Sequence, residues 1–487
     1  MIAPKRKRFR GAGRKTAFGY DATVDKGRRQ PPKARTSSGD FELPPRTRSK
    51  LVATARDQMQ NLSLVAWMIR KHVSYVSQFN LLSKTGSDEL DAALEKRFRS
   101  ASSRDQFDIA GRHSLRSAMY VNETGKAVDG QAFIAAIRGG FCQLLESDLI
   151  ALPDDIPKTW AEKVDPHGLV KDQYGKVLQY CRCTWDKDGR KLMFSGMVKR
   201  ADMLADSGTF TRPSQTRGIS PLAAALNTFR DLYESWEWTL LKIKVHSLCG
   251  VAIKRDALTD GIPTTAYADS DIDTEGEETA DNRTAMEVKD GLMQFDLDPG
   301  EDVALIESKT PNSTVIPYSE MMIRAALLAF DIPFTSYDSR GTSFSAVMAD
   351  RAEYEKSVSV KREDNIDFLV KWSAWKLDQF VSESPAMSRL ISDAGLTVPE
   401  VADLLEWVPD GTPWMDRGKE IKADADAIAL GTDSRQRQCK RRGLDFYKLA
   451  TERSEEESFM RANGITYTVG NPGSETPADP NAEEEDE

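Results

Sequence analysis

The residues in this sequence whose types could do chemistry fall into a few groups, and the spacing of each decides what it can be. Gly11-Ala12-Gly13-Arg14-Lys15-Thr16 has the ingredients of a phosphate-binding loop. Arg14 separates the glycine from the lysine and no strand pattern precedes the run, so the spacing and the strand–loop–helix setting that cradle a phosphate are missing. Asp269, Asp271, Asp273, Glu275, Glu277 and Glu278 alternate in the manner of a calcium loop. Such a loop needs glycine at its sixth position and glutamate at its twelfth; Thr274 and Ala280 stand there, which leaves a solvated acidic loop. Cys181 and Cys183 share one face of a strand pattern, but no matching second pair of zinc ligands is visible. The four histidines (His72, His113, His167, His246) are scattered, and no G-x-S-x-G elbow supports a nucleophilic serine. No catalytic residue, metal or cofactor is expected, and enzymatic chemistry is unsupported.

The elements that would position any site come next. The 487 residues exceed one ordinary core, so two or more subdomains are expected. Five cysteines in so long a chain do not make a disulfide framework, which points to a reducing compartment. The net charge of −9 is unevenly placed: residues 1–48 read as a basic, disordered arm and 466–487 as an acidic, disordered tail. No apolar run reaches the length of a membrane span, the nearest being Met321 to Phe330, and the start lacks the apolar core of a secretory signal.

Between the two tails the periodicity predicts helices over Ser49–Val76, Ser87–Arg99 and Gln106–Tyr120. Strands follow over Ala132–Ile137 and Phe141–Glu146, then a turn-rich hairpin over Val164–Lys176 and a strand over Val177–Trp185. Ser220-Pro221 is a helix start, and Leu222, Leu226, Phe229, Tyr233, Trp236, Leu240 and Ile243 then recur at alternating steps of four and three. That is a packing seam on a helix of roughly 28 residues, about 40 Å long. Strand-like VAIKR and DVALIE, an apolar helix over Pro317–Phe330, a polar loop, a very long helix over Phe344–Val381 and a helical region over Asp416–Asn463 complete the pattern.

Three segments resemble one family. Arg212-Pro213-x-Gln215-x-Arg217-Gly218-Ile219-Ser220-Pro221 resembles the R-P-x-Q-x-R-G-x-S signature of the lambda-type portal proteins of tailed bacteriophages. Pro413-Trp414-Met415-Asp416-Arg417-Gly418-Lys419-Glu420, with Ala423 and Gly431, is similar to a second family segment, Arg417 replacing its usual proline. Phe330-Asp331-Ile332-Pro333, followed by Tyr337-Asp338-Ser339, resembles the helix end and polar loop that precede the family's long helix.

The resemblance implies a mostly helical α+β portal fold with wing, stem helices, clip and crown, assembling as a ring of about twelve subunits. It assigns a wing to 49–211, a stem helix to 212–248, a clip to 249–316 and a second stem helix to 317–330. A tunnel loop takes 331–345, the long helix and return wing 346–415, and a crown-like helical region 416–465. Asp338, Ser339, Arg340, Thr342 and Ser343 become candidates for facing double-stranded DNA, and the seam residues for packing the stem. The implied partners are terminase, major capsid or scaffold protein and a head-completion or tail connector, in the virion and, during assembly, the bacterial cytoplasm. Two other classes stay open. A nuclease or terminase subunit would need a phosphate loop or carboxylate cluster, and a monomeric helical scaffold would bind nucleic acid through the basic arm without forming a ring.

Overall fold

The computed structural model describes residues 37–248, 251–255, 286–289, 292–295, 301–305, 313–411 and 417–465. The GAGRKT run, the acidic run Asp269–Asp281, Pro413–Asp416 and the tail 466–487 lie outside them. Two compact units share the chain: one holds residues 1–223 and 343–487, the other Ala224–Thr342.

The first unit opens earlier than expected. Folded chain reaches back to Ser37, where α1 (Gly39–Glu42) is a single turn capped by Ser38 and Leu43 is buried. Pro45 starts α2 (Pro45–Asn61), which ends at Leu62 in extended backbone before α3 (Ser63–Val76). The single helix expected over Ser49–Val76 is therefore two. After β1 (Phe79–Ser83), the Ser87 hydroxyl caps α4 (Asp88–Ala101), whose first turn carries Asp88, Glu89 and Asp91 toward the positive end of the helix dipole. The helix expected over Gln106–Tyr120 is displaced. One turn, α5 (Arg104–Phe107), stops at Asp108, whose carboxylate takes the N–H groups of Ala110, Arg112 and His113 and so draws the backbone out of helical geometry. The main helix, α6 (Leu115–Asp129), starts under the Ser114 cap and is stopped by Gly130 at φ 84°.

Two antiparallel three-stranded sheets follow. β2 (Gln131–Ile137) lies between β3 (Phe141–Leu145) and a later strand; after the short α7 (Lys158–Ala161), β5 (Val177–Trp185) lies between β4 (Leu169–Lys171) and β6 (Leu192–Lys199). The partner that closes the first sheet is β7 (Met203–Gly208).

In the second unit α8 (Leu226–Leu248) begins six residues after Ser220, because Pro221–Ala224 winds as a tighter 3-10 turn. The VAIKR segment forms β8 (Val251–Arg255). Next come β9 (Met286–Lys289) and its partner β10 (Leu292–Phe295), then β11 (Glu301–Leu305), which pairs with β8. The apolar helix is α9 (Val315–Leu327), which starts two residues before Pro317 and lies along α8. Leu328–Phe330 tightens into a 3-10 turn, and Asp331, left-handed at φ 58°, ends it.

The chain re-enters the first unit through α10 (Phe344–Glu383), 40 residues and so about 60 Å long. α11 (Pro385–Asp393), α12 (Val398–Asp403) and β12 (Leu405–Pro409) fold back on it. β12 pairs antiparallel with β1, a two-stranded sheet the periodicity does not announce. Trp372 of α10 is fully buried, its ring 5.7 Å from Phe98, 5.8 Å from Phe107 and 6.1 Å from Trp407. Aromatic burial of this kind adds to the aliphatic burial of Leu90, Leu94, Leu369 and Leu377 in the same core, and apolar burial drives folding of the unit. Three further helices, α13 (Arg417–Ala429), α14 (Arg435–Arg441) and α15 (Phe446–Ala462), close the described chain.

Candidate functional site

The segment Arg212–Ser220 is a bracket rather than a reactive site. Arg217 is 1% exposed. Its Nε donates to Gln131 Oε1 at 2.6 Å, one terminal nitrogen to the carbonyls of Ile150 and His167 at 2.7 and 3.0 Å, and the other to Ser147 O at 2.8 Å. Phe133 lies beneath the guanidinium at 5.5 Å. Burial, with the Arg48 charge beside it, pulls its pKa well down, and only a planar fork can serve oxygens spread over so wide an arc.

The neighbouring residues hold that fork in place. Gln215 Oε1 accepts from the N–H and hydroxyl of Thr211, and its amide donates to Arg217 O at 2.7 Å. Gly218 passes so close to Gly130 that a β-carbon would stand 2.0 Å from the Gly130 carbonyl oxygen. Ser220 Oγ donates to Ala127 O at 2.7 Å and accepts from Leu222 N at 3.1 Å. At the other end Arg212 reaches Glu42 at 3.1 Å. The motif thus ties α1, the end of α6, the start of β2 and the loops at 147–151 and 165–168 together just before the chain leaves this unit.

The seam residues do not share one environment. Leu222, Leu226 and Phe229 are fully buried, as is Leu232, which the steps of four and three pass over. Tyr233, Trp236 and Ile243 are half-buried, with the Tyr233 and Trp236 rings packed at a tilt of 54°, their centres 5.0 Å apart, and Trp236 Nε1 donating to Ser319 Oγ at 2.9 Å. Leu240 is exposed, together with Trp238 and Leu241 on α8 and Ile316, Met321 and Leu328 after it. A signal for Leu232 existed, since it lies three residues beyond Phe229 on the same turn-to-turn track.

The loop after Asp331 is shorter than expected. A 3-10 turn occupies Phe334–Ser336, and Ser343 caps α10, its hydroxyl accepting the N–H of Ala346, so Phe344 and Ser345 are helical. Within it Asp338 and Arg340 form a forked ion pair, with Arg340 Nε 2.9 and 3.0 Å from the two carboxylate oxygens. The hydrogen bonds from Arg340 push the Asp338 pKa down to about 2. Ser339 O accepts from Thr342 N at 3.2 Å, and Gly341 sits at φ 72°, a left-handed position that turns the chain toward α10.

The remaining chemical candidates are placed apart. Cys181 and Cys183 are buried free thiols on β5, and Cys183 donates to Ala151 O at 3.5 Å. His72 is buried 3.3 Å from Glu123, His113 lies 3.1 Å from Ser117 Oγ, and the His167 carbonyl serves Arg217. The side chain of His246 falls outside the described residues. Among the described residues no group of three or more His, Cys, Asp or Glu is arranged to hold a metal ion, and no helix is long and apolar enough to cross a membrane.

Comparison with known proteins gives a consistent result. The chain is 23% identical to the probable portal protein of Halomonas phage phiHAP-1, over 81% of this chain and 78% of that one. Among solved structures it is similar to a chain of the virion of a native gene transfer agent particle (14% identity, 81% of this chain and 93% of that one, TM-score 0.48). A chain of the neck of an empty particle of that kind matches at 15% identity, over 82% of this chain and 94% of that one, with TM-score 0.49. The family described as phage portal protein, lambda family, matches residues 27–362, which include the Arg217 bracket, the α8–α9 hairpin and the loop before α10. With more than half its length in that match, the chain belongs to the lambda family of phage portal proteins.

Proposed function

We propose that this chain is the subunit of a closed ring of twelve copies at one capsid vertex, the channel through which double-stranded DNA enters and leaves. Membership of the portal family over residues 27–362 carries this reading. In it, terminase docks on the ring during packaging, capsid or scaffold protein surrounds it, and a head-completion or tail connector joins it in the virion. The motor moves the DNA; the ring itself carries no catalytic step. The wing is residues 49–211 with the long helix and return wing at 346–415, the stem 212–248 and 317–330, the clip 249–316, the tunnel loop 331–345 and the crown-like helical region 416–465.

Two features of the structure support the assignment. The α8–α9 hairpin leaves Trp238, Leu240, Leu241, Ile316 and Met321 exposed, an apolar surface that a neighbouring copy would cover in a repeating heterologous interface. Asp338, Ser339, Arg340, Thr342 and Ser343 form a small, polar loop suited to facing DNA without gripping it, since every phosphate neutralised adds affinity. The test is the mass of the purified protein. Twelve chains of 54.3 kDa form a closed cyclic particle of roughly 650 kDa, visible by mass photometry and as rings in negative stain. A persistent monomer at high concentration, with no annular particles, overturns the proposal.

A further inference from the structure

The loop from Asp331 to Ser343 contains one cation, and that cation is already engaged. The Arg340 side chain is 90% exposed, yet its Nε and one terminal nitrogen are both turned onto Asp338, the latter 2.5 Å from Oδ2. The backbone N–H of Arg340 donates to Asp338 Oδ1 at 2.9 Å. Asp338 is only 17% exposed and is itself positioned from below, its N–H donating to Phe334 O at 2.9 Å. The cation on the preceding helix, Arg324, is stacked on the Phe334 ring at 3.9 Å.

A guanidinium edge that can take a carboxylate as a fork can take a phosphate in the same way. Left free, Arg340 would offer that edge to DNA once per subunit, and a ring would multiply it. Resting on the reading that this loop lines the channel, we propose that Asp338 is a built-in counterion: it occupies the gripping edge of Arg340, so the loop meets the phosphate backbone without net positive charge and DNA slides past. The carboxylate is ionised at neutral pH as an ordinary aspartate is, and the hydrogen bonds from Arg340 push its pKa further down, to about 2. Its place in the turn keeps it beside the guanidinium, so an approaching phosphate meets a cation already neutralised by a tethered carboxylate.

Asp338→Asn separates charge from architecture, since the amide oxygen can still accept the Arg340 N–H. Purified rings of wild type, D338N, R340Q, D338N/R340Q and S339K/T342K are compared, each first checked as rings in negative stain; Ser343 is left intact because it caps α10. The readout is binding of a short linear duplex, which can enter the channel, and of closed circular DNA, which cannot thread it, as a function of salt. D338N should tighten linear binding and leave circular binding unchanged, D338N/R340Q should return to wild type, and R340Q alone, which leaves Asp338 uncompensated, should not exceed wild type. For two added phosphate contacts the log–log salt slope steepens by about 1.8, so the D338N advantage should fall about tenfold between roughly 50 and 200 mM salt. If S339K/T342K tightens linear binding and D338N does not, the loop is in the channel and the counterion role is wrong. If neither does, DNA never meets the loop, and the channel reading of the loop falls with the proposal. A loss of wild-type binding in D338N/R340Q, which keeps the net charge of the pair, also overturns it, because Arg340 would then already be gripping DNA.

Discussion

Replacing Arg217 with lysine tests whether the bracket before α8 is held by the shape of a guanidinium or only by its charge. Arg217 donates to four oxygens from three segments: Gln131, Ser147 with Ile150, and His167. A lysine ammonium is one point with three donors and can follow the nitrogen that serves Ile150 and His167, but it cannot also reach Gln131 and Ser147. Two charge-assisted bonds are then lost, each contributing about 1.5–3 kcal/mol. The loss is partly offset because Gln131 Oε1 also accepts from Gly218 N and Ser147 O from Arg48. The expected cost is about 2–4 kcal/mol, or about 1 M in urea midpoint at a slope of about 2–3 kcal/mol/M. Tryptophan fluorescence follows the transition, since Trp372 and Trp407 lie in the core of the same unit. Arg212→Lys, at the solvent-facing end of the motif, is the internal control and should move the midpoint little. An Arg217→Lys shift no larger than that of Arg212→Lys would refute the argument from fork geometry.

Three further outcomes are expected. Gly218→Ala places a β-carbon 2.0 Å from the Gly130 carbonyl oxygen, a backbone atom that cannot step aside, so the variant should lose about 3 kcal/mol or more and accumulate poorly as soluble, protease-resistant protein; normal yield and resistance would contradict it. Burial lowers the pKa of both His72 and His167. Below the unfolded value of about 6.5 the unfolded chain binds protons that the folded chain refuses, so stability falls as pH drops. His72→Gln should flatten the decline in urea midpoint between about pH 7 and 5 without abolishing it, because His167 remains; an unchanged slope would place the titration elsewhere. Deleting Ser270–Thr279 should leave annular particles intact, as expected of a solvated insertion, and collapse of the ring would assign that acidic loop to the subunit interface.

Much of the fold is legible where a local cause decides it. The strands at 131–137 and 141–145, the α4 start at Ser87 and the long α10 all follow from residues inside the element itself. Where the cause is distant, the pattern is silent. β1 and β12 are five-residue strands, and Leu81 finds Trp407 as its partner across more than three hundred residues. The break at Leu62 carries no glycine or proline, and the apolar period runs through it. Asp108 is one acid among many until its carboxylate is seen taking three N–H groups. In the seam, periodicity tells which side chains could share a face but not whether anything lies opposite, which is why Leu226 is buried and Leu240 is not. Arg217 is visible as a motif position, while its burial depends on four oxygens that come from sequence 50 to 86 residues away.

The path of the chain through its two units sets a timetable for synthesis. Leu90, Leu94 and Phe98 of α4 emerge early, but Trp372 and Phe380 of α10, which cover them, follow only after the whole of Ala224–Thr342 has been made. From Phe98 to Trp372 is roughly 270 residues, or roughly 15–55 s at the ribosome's pace of about 5–20 residues per second. Throughout that interval Leu90, Leu94 and Phe98 lack the α10 side chains that bury them, and transiently exposed apolar surface of this kind favours aggregation. Completion of the core around Leu90, Leu94 and Phe98 therefore waits on synthesis of α10.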